Sequence, residues 1–366
     1  MRVASRLPHR LVRAWLGARR ALLRLADAML PAHLALFQHS LGIARTQLLA
    51  ALAELGVADA LADGPARAPE LAARLGLDAD ALHRALRAAA VDGVVALDRQ
   101  GRFRLTRLGA TLRADAPHAM GDWVRYLAAP STAAAWGALA HAIRSGESAF
   151  AHVHGRSVWT WLAEHPAEER LFARAMRRLS EDEAPALVAA GDWPASGTVC
   201  DVAGGAGGLL AALLQARPGL RGVLVDAPGV LREADTALRR SGARARVALV
   251  AGDLFAGVPV RADLYLLKNV LHDWDDARCR RILAGLRAAA RPGARLVVVE
   301  QLQERGRPEP FASWVDLQML TQSDGGRERS AAELHDLLRA ADFVPGPVRR
   351  TPGSALLEAV AGGGTA

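Results

Sequence analysis

Short apolar runs that end in an acidic residue recur in the second half of the chain. The residues that close these runs are Asp201 after 198–200, Asp226 after 222–225 and Asp253 after 246–252. Such runs are typical of buried strands, and the first is followed by the apolar helical segment 209–214. The pattern predicts a doubly wound α/β sheet with three carboxylates along its ligand-binding edge. Each aspartate could instead be a helix N-cap or a turn residue.

A glycine-rich turn, Asp-Val-Ala-Gly-Gly-Ala-Gly at 201–207, follows the first predicted strand. Glycines there leave room for a ligand against the backbone and tolerate a positive φ. The dinucleotide fingerprint is incomplete, because Leu210 stands where its third glycine belongs, and a Walker-type phosphate loop is absent. An acidic residue before the turn suits a cationic ligand, and Asp226 lies about 20 residues on, where ribose hydroxyls are bound. S-adenosylmethionine, with its ammonium, sulfonium and ribose, fits these features.

The segment 45–113 has the pattern of a winged helix. Its predicted elements are helices at Thr46–Leu61, Ala68–Leu75 and Asp80–Ala90 and a hairpin of Val94–Leu97 with Arg102–Leu105. Because winged helices can bind DNA, a DNA-binding regulator is a rival function. Nine arginines against nine acidic residues between 46 and 115 leave no net charge, whereas nucleic-acid-binding modules are usually basic. This balance of charge argues against DNA binding.

The N-terminal region is strongly basic. Eight arginines and one aspartate before residue 46 give 8 minus 1, or +7, of the formal net charge of +8. Leucines, Trp15 and Met29 alternate with arginines at helical spacing, which predicts a basic amphipathic helix over 1–35 that bends or ends near Pro31. Such a helix could lie on a membrane surface, act as a targeting presequence, cover a partner subunit or be disordered. We favour the partner subunit.

Composition adds three points. Hydrophobic residues make up 51% of the 366 residues, enough for a large core and two or three domains. Cys200 and Cys279 form no Cys-x-x-Cys pair, so disulfide or zinc chemistry is not predicted, and without an apolar run of about 18 residues neither is a membrane span. Lys268 is the only lysine beside 45 arginines (46 minus 1). In so arginine-rich a chain, a lysine indicates a site that requires a compact ammonium.

His272 is a candidate general base, since a hydroxyl such as a phenol of pKa about 10 is mostly protonated at neutral pH and needs a base to react. His272 follows a fourth apolar run, 262–267, and is therefore predicted at the same edge of the sheet. A histidine of pKa about 6.5 is suited to take the proton. Glu300 or Glu328 would orient its second ring nitrogen. His272 could alternatively be structural, with Asp273 as a neighbouring cap, and either glutamate could be a surface residue.

Four blocks of the sequence resemble S-adenosylmethionine-dependent O-methyltransferases of the plant caffeate and bacterial polyketide-tailoring type. The blocks are 201–207, Gly252-Asp-Leu-Phe255, Leu267-Lys-Asn-Val-Leu-His-Asp-Trp274 and Gly325-Gly-Arg-Glu-Arg-Ser330. The resemblance extends from about Phe37 to Val360, and its Leu-His-Asp-Trp block is far more specific than the glycine turn. Ala203 departs from the family, which usually has glycine there. The resemblance implies a class I methyltransferase sheet of seven strands and an N-terminal, mainly helical winged-helix domain that forms a homodimer.

The resemblance also implies roles for individual residues. His272 would be the catalytic base, flanked by Glu300 and Glu328, and a metal would not be needed. The residues implied in binding S-adenosylmethionine are Asp201, Ala203, Gly204, Gly205, Gly207, Asp226, Asp253, Leu254 and Lys268. The residues implied in binding an aromatic acceptor are Phe172, Met176, Asp273 and Met319.

Together these features predict a homodimeric, cytoplasmic, metal-independent O-methyltransferase. Its acceptor would be a phenolic or enolic hydroxyl of an aromatic polyketide-like secondary metabolite, with no nucleic-acid partner and no stable membrane insertion. The predicted domains are the basic helix at 1–35, the winged helix at 36–115, a helical roof over the substrate site at 116–190, the methyltransferase domain at 191–360 and a flexible tail at 361–366. The alternative is an enzyme that uses the same scaffold and cofactor for hydroxylation or decarboxylation, and the presence of His272 argues against it.

Overall fold

The computed structural model describes residues 9–363, apart from the side chains of His9, Arg10 and Arg13. The start of the predicted basic helix and most of the predicted tail therefore lie outside the described residues. The chain divides into two compact units. The winged-helix unit comprises Gly17–Ala133 and His165–Leu179, and the sheet unit comprises the remainder. The predicted roof at 116–190 is helical but is divided between these units.

The helices occupy both units. In chain order they are α1 (His9–Ala28), α2 (Ala32–Ser40), α3 (Gly42–Glu54), α4 (Val57–Ala60), α5 (Ala68–Leu75), α6 (Ala79–Val91), α7 (Gly121–Ala128), α8 (Pro130–Gly137), α9 (Leu139–Ser145), α10 (Ala149–His154), α11 (Val158–Glu164), α12 (Pro166–Ala190), α13 (Gly208–Ala216), α14 (Pro228–Arg240), α15 (Asp276–Ala289), α16 (Ala312–Gln322) and α17 (Ala331–Ala340). Short 3₁₀ turns lie at Leu61–Asp63, Gly109–Leu112, Arg244–Arg246 and Leu271–Asp273.

The helices predicted for the winged helix are confirmed in α5 and α6, but the first one is wrong in its bounds. The long helix predicted at Thr46–Leu61 is instead α3 followed by the single turn α4. The break falls at Gly56, whose φ of 68° lies in the left-handed region that glycine adopts without strain. The apolar periodicity continues across the break, so the periodicity alone did not reveal it.

The predicted hairpin is present and completes the winged helix. Strand β1 (Val95–Leu97) pairs antiparallel with β2 (Phe103–Leu105). Ala66 adds a bridge to Phe103, because each backbone N–H donates to the other residue's carbonyl at 3.0 and 2.8 Å. Phe103 is fully buried in the core of this unit together with Leu71 and Leu86. The wing is therefore held to the segment before α5 by hydrogen bonds and to the helices by apolar packing.

The sheet unit has the predicted class I methyltransferase sheet. Its strands are β3 (Ser196–Val202), β4 (Gly219–Asp226), β5 (Val247–Ala251), β6 (Leu264–Lys268), β7 (Arg295–Glu300), β8 (Phe343–Arg350) and β9 (Ala355–Ala361). They lie in the order β5-β4-β3-β6-β7-β9-β8, parallel except that β9 pairs antiparallel with both β7 and β8. Because strands β3 to β7 are parallel, their carboxyl ends meet at one edge of the sheet. The doubly wound prediction is confirmed.

Apolar layers cover both faces of this sheet. Cys200, Tyr265 and Val298 belong to one buried cluster, and Val199 and Leu266 belong to the other. Alternate residues of each strand therefore enter opposite layers, which explains why the strands appear as continuous apolar runs in the sequence. The sheet is rigidly packed on both sides, and its functional groups are confined to the strand ends.

Helices α1 and α2 carry many exposed apolar side chains. Helix α1 ends before Pro31, as predicted. Its exposed apolar residues, together with Met29 just beyond it, are Leu11, Trp15, Leu22, Leu23, Leu25 and Met29. Among the described residues, no single helix is long and apolar enough to cross a membrane, although the pair Ala32–Glu54 and Val57–Asp63, bent by 62°, meets that test by length and composition.

Three residues of the turn after β3 have a left-handed backbone that glycine adopts easily, and one of these three is an alanine. Gly205 and Gly207 have φ of 59° and 74°, and Ala203 has φ of 55°. A Cβ added at Gly204 would lie 2.4 Å from Asp201 Cγ and 2.5 Å from Leu224 Cδ1. The glycines are therefore required by the fold. Ala203 is tolerated at a cost of roughly 1–2 kcal/mol, the usual cost of left-handed backbone for a residue with a Cβ.

We expect Ala203→Gly to stabilise the protein, by about 1 kcal/mol, because glycine relieves the left-handed strain. Ala206→Gly in the same turn is the matched control, since Ala206 is not among the residues with positive φ. There the substitution should destabilise by about 0.5–1 kcal/mol through chain entropy. Thermal unfolding of both variants measures the difference, and a melting temperature of Ala203→Gly at or below that of Ala206→Gly would contradict the strain.

Candidate active site

The acidic residues predicted at the sheet edge are connected through the backbone of neighbouring turns. Asp226, at the end of β4, accepts hydrogen bonds from the backbone N–H of Gly205 at 2.9 Å and of Ala227 at 2.7 Å. Its own carbonyl accepts from Gly252 N–H at 3.1 Å. The glycine turn, the end of β4 and the segment after β5 are thus tied together on one side of the sheet.

Asp253 does not close a strand as predicted. Strand β5 ends at Ala251, so Asp253 lies in the loop beyond it and is exposed. Its Oδ1 accepts from Phe255 N–H at 2.9 Å, which shapes this loop. Leu254 is partly buried against the sheet core. Both remain at the edge where the cofactor is expected, and Asp253 is free to turn a second oxygen outward.

Asp201 is the most buried of these carboxylates. It is 2% exposed, and its Oδ1 has no hydrogen-bond partner among the described residues. Burial, and then the charge of Asp226, raise the pKa of Asp201 to about 7, although Lys268 opposes the rise. Burial also raises the pKa of Asp226, against the two hydrogen bonds it accepts. Two acceptors held in a desolvated, glycine-lined turn fit a cationic ligand with a ribose, such as S-adenosylmethionine.

Lys268 has a partner that the sequence did not indicate. Its Nζ lies 3.1 Å from Glu183 Oε2 on α12, and both side chains are largely buried. Ser354 Oγ donates to the other oxygen of Glu183. The lysine at the end of β6 is therefore oriented by a carboxylate from a helix distant in sequence. The hypothesis that this lone lysine occupies a special site is compatible with that contact.

His272 lies on the 3₁₀ turn Leu271–Asp273 that follows β6. Its Nδ1 is 2.7 Å from Glu328 Oε1, a hydrogen-bond distance, and 3.8 Å from Glu300 Oε2. Glu300 Oε1 instead accepts the backbone N–H of Val270 and Leu271 at 3.1 and 2.8 Å, which holds the start of the turn. Both glutamates are buried. The alternative that either is a surface residue is therefore wrong.

The electrostatics of this cluster are unusual. Burial alone would lower the pKa of His272, but three neighbouring carboxylates raise it to about 10. In order of effect they are Glu328, Glu300 and Asp273. Burial raises the pKa of Glu300 to about 7 and that of Asp273 to about 6, against the attraction of His272. The imidazole is therefore a much stronger base than an ordinary histidine.

The ligand atoms of His272, Glu300 and Glu328 lie within 4.8 Å of one another, a spacing that a metal ion could use. The 2.7 Å contact between His272 and Glu328 is, however, a hydrogen-bond distance. One oxygen of Glu300 is already engaged by two backbone N–H groups. Glu300 Oε2 and Glu328 Oε2 are buried without a hydrogen-bond partner among the described residues. The contact at His272 Nδ1 has the geometry of a histidine oriented by a carboxylate.

The acceptor residues implied by resemblance fall into both units. Asp273 Oδ1 lies 3.7 Å from His272 Nε2, on the side of the ring away from Glu328. Met319 is buried on α16, where Ser323 Oγ approaches its sulfur at 3.5 Å. Phe172 and Met176 lie on the first half of α12, in the winged-helix unit. Their contact with an acceptor stays a prediction.

Two charged residues near the site, the half-buried Glu183 and the buried Arg329, were given no role from the sequence. Glu183 holds Lys268, and Arg329 lies under the turn that carries His272. Arg329 belongs to the block 325–330 that supports the resemblance, so the sequence indicates that it lies near the site. The sequence does not indicate which groups it contacts. No spacing signal connects Glu183 with Lys268, because 85 residues (268 minus 183) separate them.

Comparison with protein families agrees with this geometry. An O-methyltransferase dimerisation domain matches residues 37–115, and an O-methyltransferase domain matches residues 136–344. Phenazine O-methyltransferase PhzM of Lysobacter antibioticus is 38% identical over 299 residues, covering 82% of this chain and 87% of that protein. The crystal structure of LaPhzM aligns with a TM-score of 0.86 at 36% identity, over 91% of this chain and 100% of the other.

Two further relatives bear on cofactor and chemistry. NcsB1, an O-methyltransferase from neocarzinostatin biosynthesis, was crystallised with S-adenosyl-L-homocysteine and 1,4-dihydroxy-2-naphthoic acid; it aligns with a TM-score of 0.75 at 34% identity, over 87% of this chain and 96% of the other. Aclacinomycin 10-hydroxylase RdmB of Streptomyces purpurascens is 37% identical over 313 residues, covering 83% of this chain and 82% of that protein. The fold, the site and these matches show that the chain belongs to the S-adenosylmethionine-dependent O-methyltransferase family.

Proposed function

We propose that this enzyme methylates a phenolic or enolic hydroxyl of an aromatic, polyketide-like secondary metabolite, with His272 as general base. The observation that carries the proposal is the 2.7 Å contact between His272 Nδ1 and Glu328 Oε1 at the edge of the sheet. The phenazine O-methyltransferase relative and the dihydroxynaphthoic acid bound to NcsB1 support an aromatic acceptor.

The cofactor, when bound, supplies an electrophilic methyl group and departs as a neutral thioether. The glycine turn at 203–207 leaves space for it, and Asp201, Asp226 and Lys268 would bind its polar groups. Asp201 offers the unpaired, buried Oδ1, suited to a cationic group. Asp226, already fixed by two backbone N–H groups, would accept ribose hydroxyls. Asp253, in the next loop, would contribute a further acceptor.

The role of His272 follows from its proton affinity. A phenol has a pKa of about 10, and the carboxylates around His272 raise its pKa to about 10. The neutral imidazole therefore has the proton affinity to take the proton of a phenol, and the enzyme is active in the fraction of molecules in which His272 is deprotonated. Glu328 holds Nδ1, so Nε2 is the nitrogen that receives the proton, with Asp273 beside the resulting imidazolium.

We further propose that the transfer needs no metal. The leaving group is uncharged, so it requires no Lewis acid, and the proton is taken by His272. The second candidate function is hydroxylation or decarboxylation on the same scaffold. The hydroxylase RdmB among the relatives is the observation that favours it. A histidine paired with a buried carboxylate is suited to remove a proton from a hydroxyl. Methylation of a hydroxyl requires this step, so we prefer methylation to the second candidate function.

Dimerisation through the N-terminal region is also proposed. The described apolar residues of the basic helix and the turn after it recur at spacings of four, seven, three and four, so that Leu11, Trp15, Leu22, Leu25 and Met29 share one exposed face. The matched dimerisation domain begins at residue 37, directly after this region. A second copy of the chain is therefore the occupant that we assign to this face, in a homodimer.

We expect His272→Gln to leave S-adenosylmethionine affinity within about twofold of wild type and to lower turnover by roughly 10²–10⁴, the usual contribution of a positioned base. The loss should shrink for a nitrated acceptor that is already ionised at the assay pH. In the wild type, turnover should rise with pH through a midpoint above 6.5, because the raised pKa keeps His272 protonated at lower pH. Calorimetry and initial rates measure these quantities; wild-type turnover of a protonated phenol by His272→Gln would exclude the base.

We expect removal of residues 1–30 to weaken the dimer at least tenfold, because the apolar face of α1 is lost. Leu22→Gln with Leu25→Gln should weaken it in the same direction. Arg20→Gln with Arg24→Gln, on the opposite side of the helix, is the matched control and should not. Light scattering over a concentration series measures the monomer–dimer equilibrium. An unchanged dimer, or a helix that instead binds anionic vesicles while the dimer persists, would contradict the assignment.

A further inference from the structure

The segment 325–329 lies directly against the turn that carries the catalytic histidine. Arg327 N–H donates to the carbonyl of His272 at 2.8 Å. A Cβ added at Gly326 would lie 2.6 Å from that same carbonyl oxygen, so only glycine permits the approach. Glu328, two residues after Gly326, contacts the imidazole of His272 through its side chain. The relative position of the two segments therefore sets the distance between base and carboxylate.

Arg329 connects the two segments with its side chain. It is 2% exposed, among the largest fully buried side chains of the described residues. Its Nη1 donates to the carbonyl of Leu271 at 2.8 Å, and its Nη2 donates to the carbonyl of Trp274 at 2.7 Å. These carbonyls stand immediately before and two residues after His272. The planar guanidinium thus spans the whole turn.

Asp276 balances the buried charge of Arg329. Its Oδ1 accepts from Nε at 2.9 Å and from Nη2 at 2.7 Å. All three guanidinium nitrogens therefore donate, two of them to the turn and two to the carboxylate at the start of α15. A guanidinium has the rigid fork that this pattern requires, and a lysine ammonium does not. Burying a charge only for stability is usually unrewarding, which points to a geometric role.

We propose that Arg329 is a positioning residue that holds the turn 271–274 so that His272 Nδ1 stays within hydrogen-bond distance of Glu328. The inference rests on the proposed role of His272 as general base. Glu328 and Arg329 are neighbours in the sequence, so the same short segment supplies the carboxylate that orients the base and the cation that fixes its backbone. Glu300 adds a second restraint by accepting the N–H groups at the start of the turn.

The test compares Arg329→Lys with Arg327→Lys. Arg327 is the matched control, because its side chain also pairs with Asp276, and with Glu333, but is 40% exposed and does not contact the turn carbonyls in the described structure. Its backbone N–H to His272 is kept in the variant. The acceptor is the phenol of highest turnover in a panel of hydroxynaphthoates and hydroxybenzoates, used beside its ring-nitrated, ionised analogue. S-adenosylmethionine affinity and thermal unfolding are measured in parallel.

We expect Arg329→Lys to keep cofactor affinity within about twofold and to lose about 10- to 100-fold in kcat with the ordinary phenol, as expected for a misplaced catalytic group. The loss should largely vanish with the ionised acceptor, which needs no base. Arg327→Lys should resemble wild type with both. The ¹⁵N resonance of His272 Nδ1, a measure that needs no acceptor, should shift in Arg329→Lys and not in Arg327→Lys.

An equal loss with both acceptors, a loss of cofactor affinity, or an unshifted His272 resonance would overturn the positioning role. Arg329→Met, if folded, should show a larger form of the same pattern. His272→Gln is assayed alongside to separate the two proposals. If His272→Gln shows no rescue by the ionised acceptor, the base itself has been misassigned. If it is rescued and Arg329→Lys is not, only the role of Arg329 fails.

Discussion

The hydrogen bond between His272 Nδ1 and Glu328 Oε1 is the contact on which the proposed chemistry of this site depends. Its two partners come from segments 56 residues apart, and each is held by a different restraint. The sheet brings His272 to the edge at the end of β6, while the segment 325–329 is held against it through the carbonyl of His272 and through Arg329. The raised pKa of His272 results from three neighbouring carboxylates and not from the histidine alone.

The cofactor edge follows the same physical logic. A doubly wound sheet buried on both faces presents polar groups only at its strand ends, so Asp201 and Asp226 share a small desolvated space. Burial raises the pKa of both, which makes the space beside these carboxylates favourable for a cation that compensates them. The charge of Lys268 opposes the rise at Asp201, and Glu183 pairs with that lysine. The two halves of the site are joined by β6, which ends in Lys268 and leads to His272.

Much of this could be predicted from the sequence, because strand runs, glycine turns and helical periodicity are local signals. Helices α5 and α6, the wing and the parallel strands were found in that way. The break at Gly56 was missed, since apolar periodicity continues across it. The burial of Glu328, flanked by two arginines, and the contacts of Glu183 and Arg329 depend on tertiary packing. No local pattern encodes which buried carboxylate meets which cation.

The most direct measurement of the base–carboxylate pair is an NMR titration of His272 in protein labelled with ¹⁵N at histidine. The chain has 11 histidines, and the spectrum of His272→Gln assigns the resonance. The pKa of His272 should lie well above 6.5 in the wild type and should fall in Glu328→Gln, which removes the largest of the charges that raise it. A wild-type pKa near the ordinary value, unchanged by Glu328→Gln, would contradict the pairing and with it the proposed mechanism.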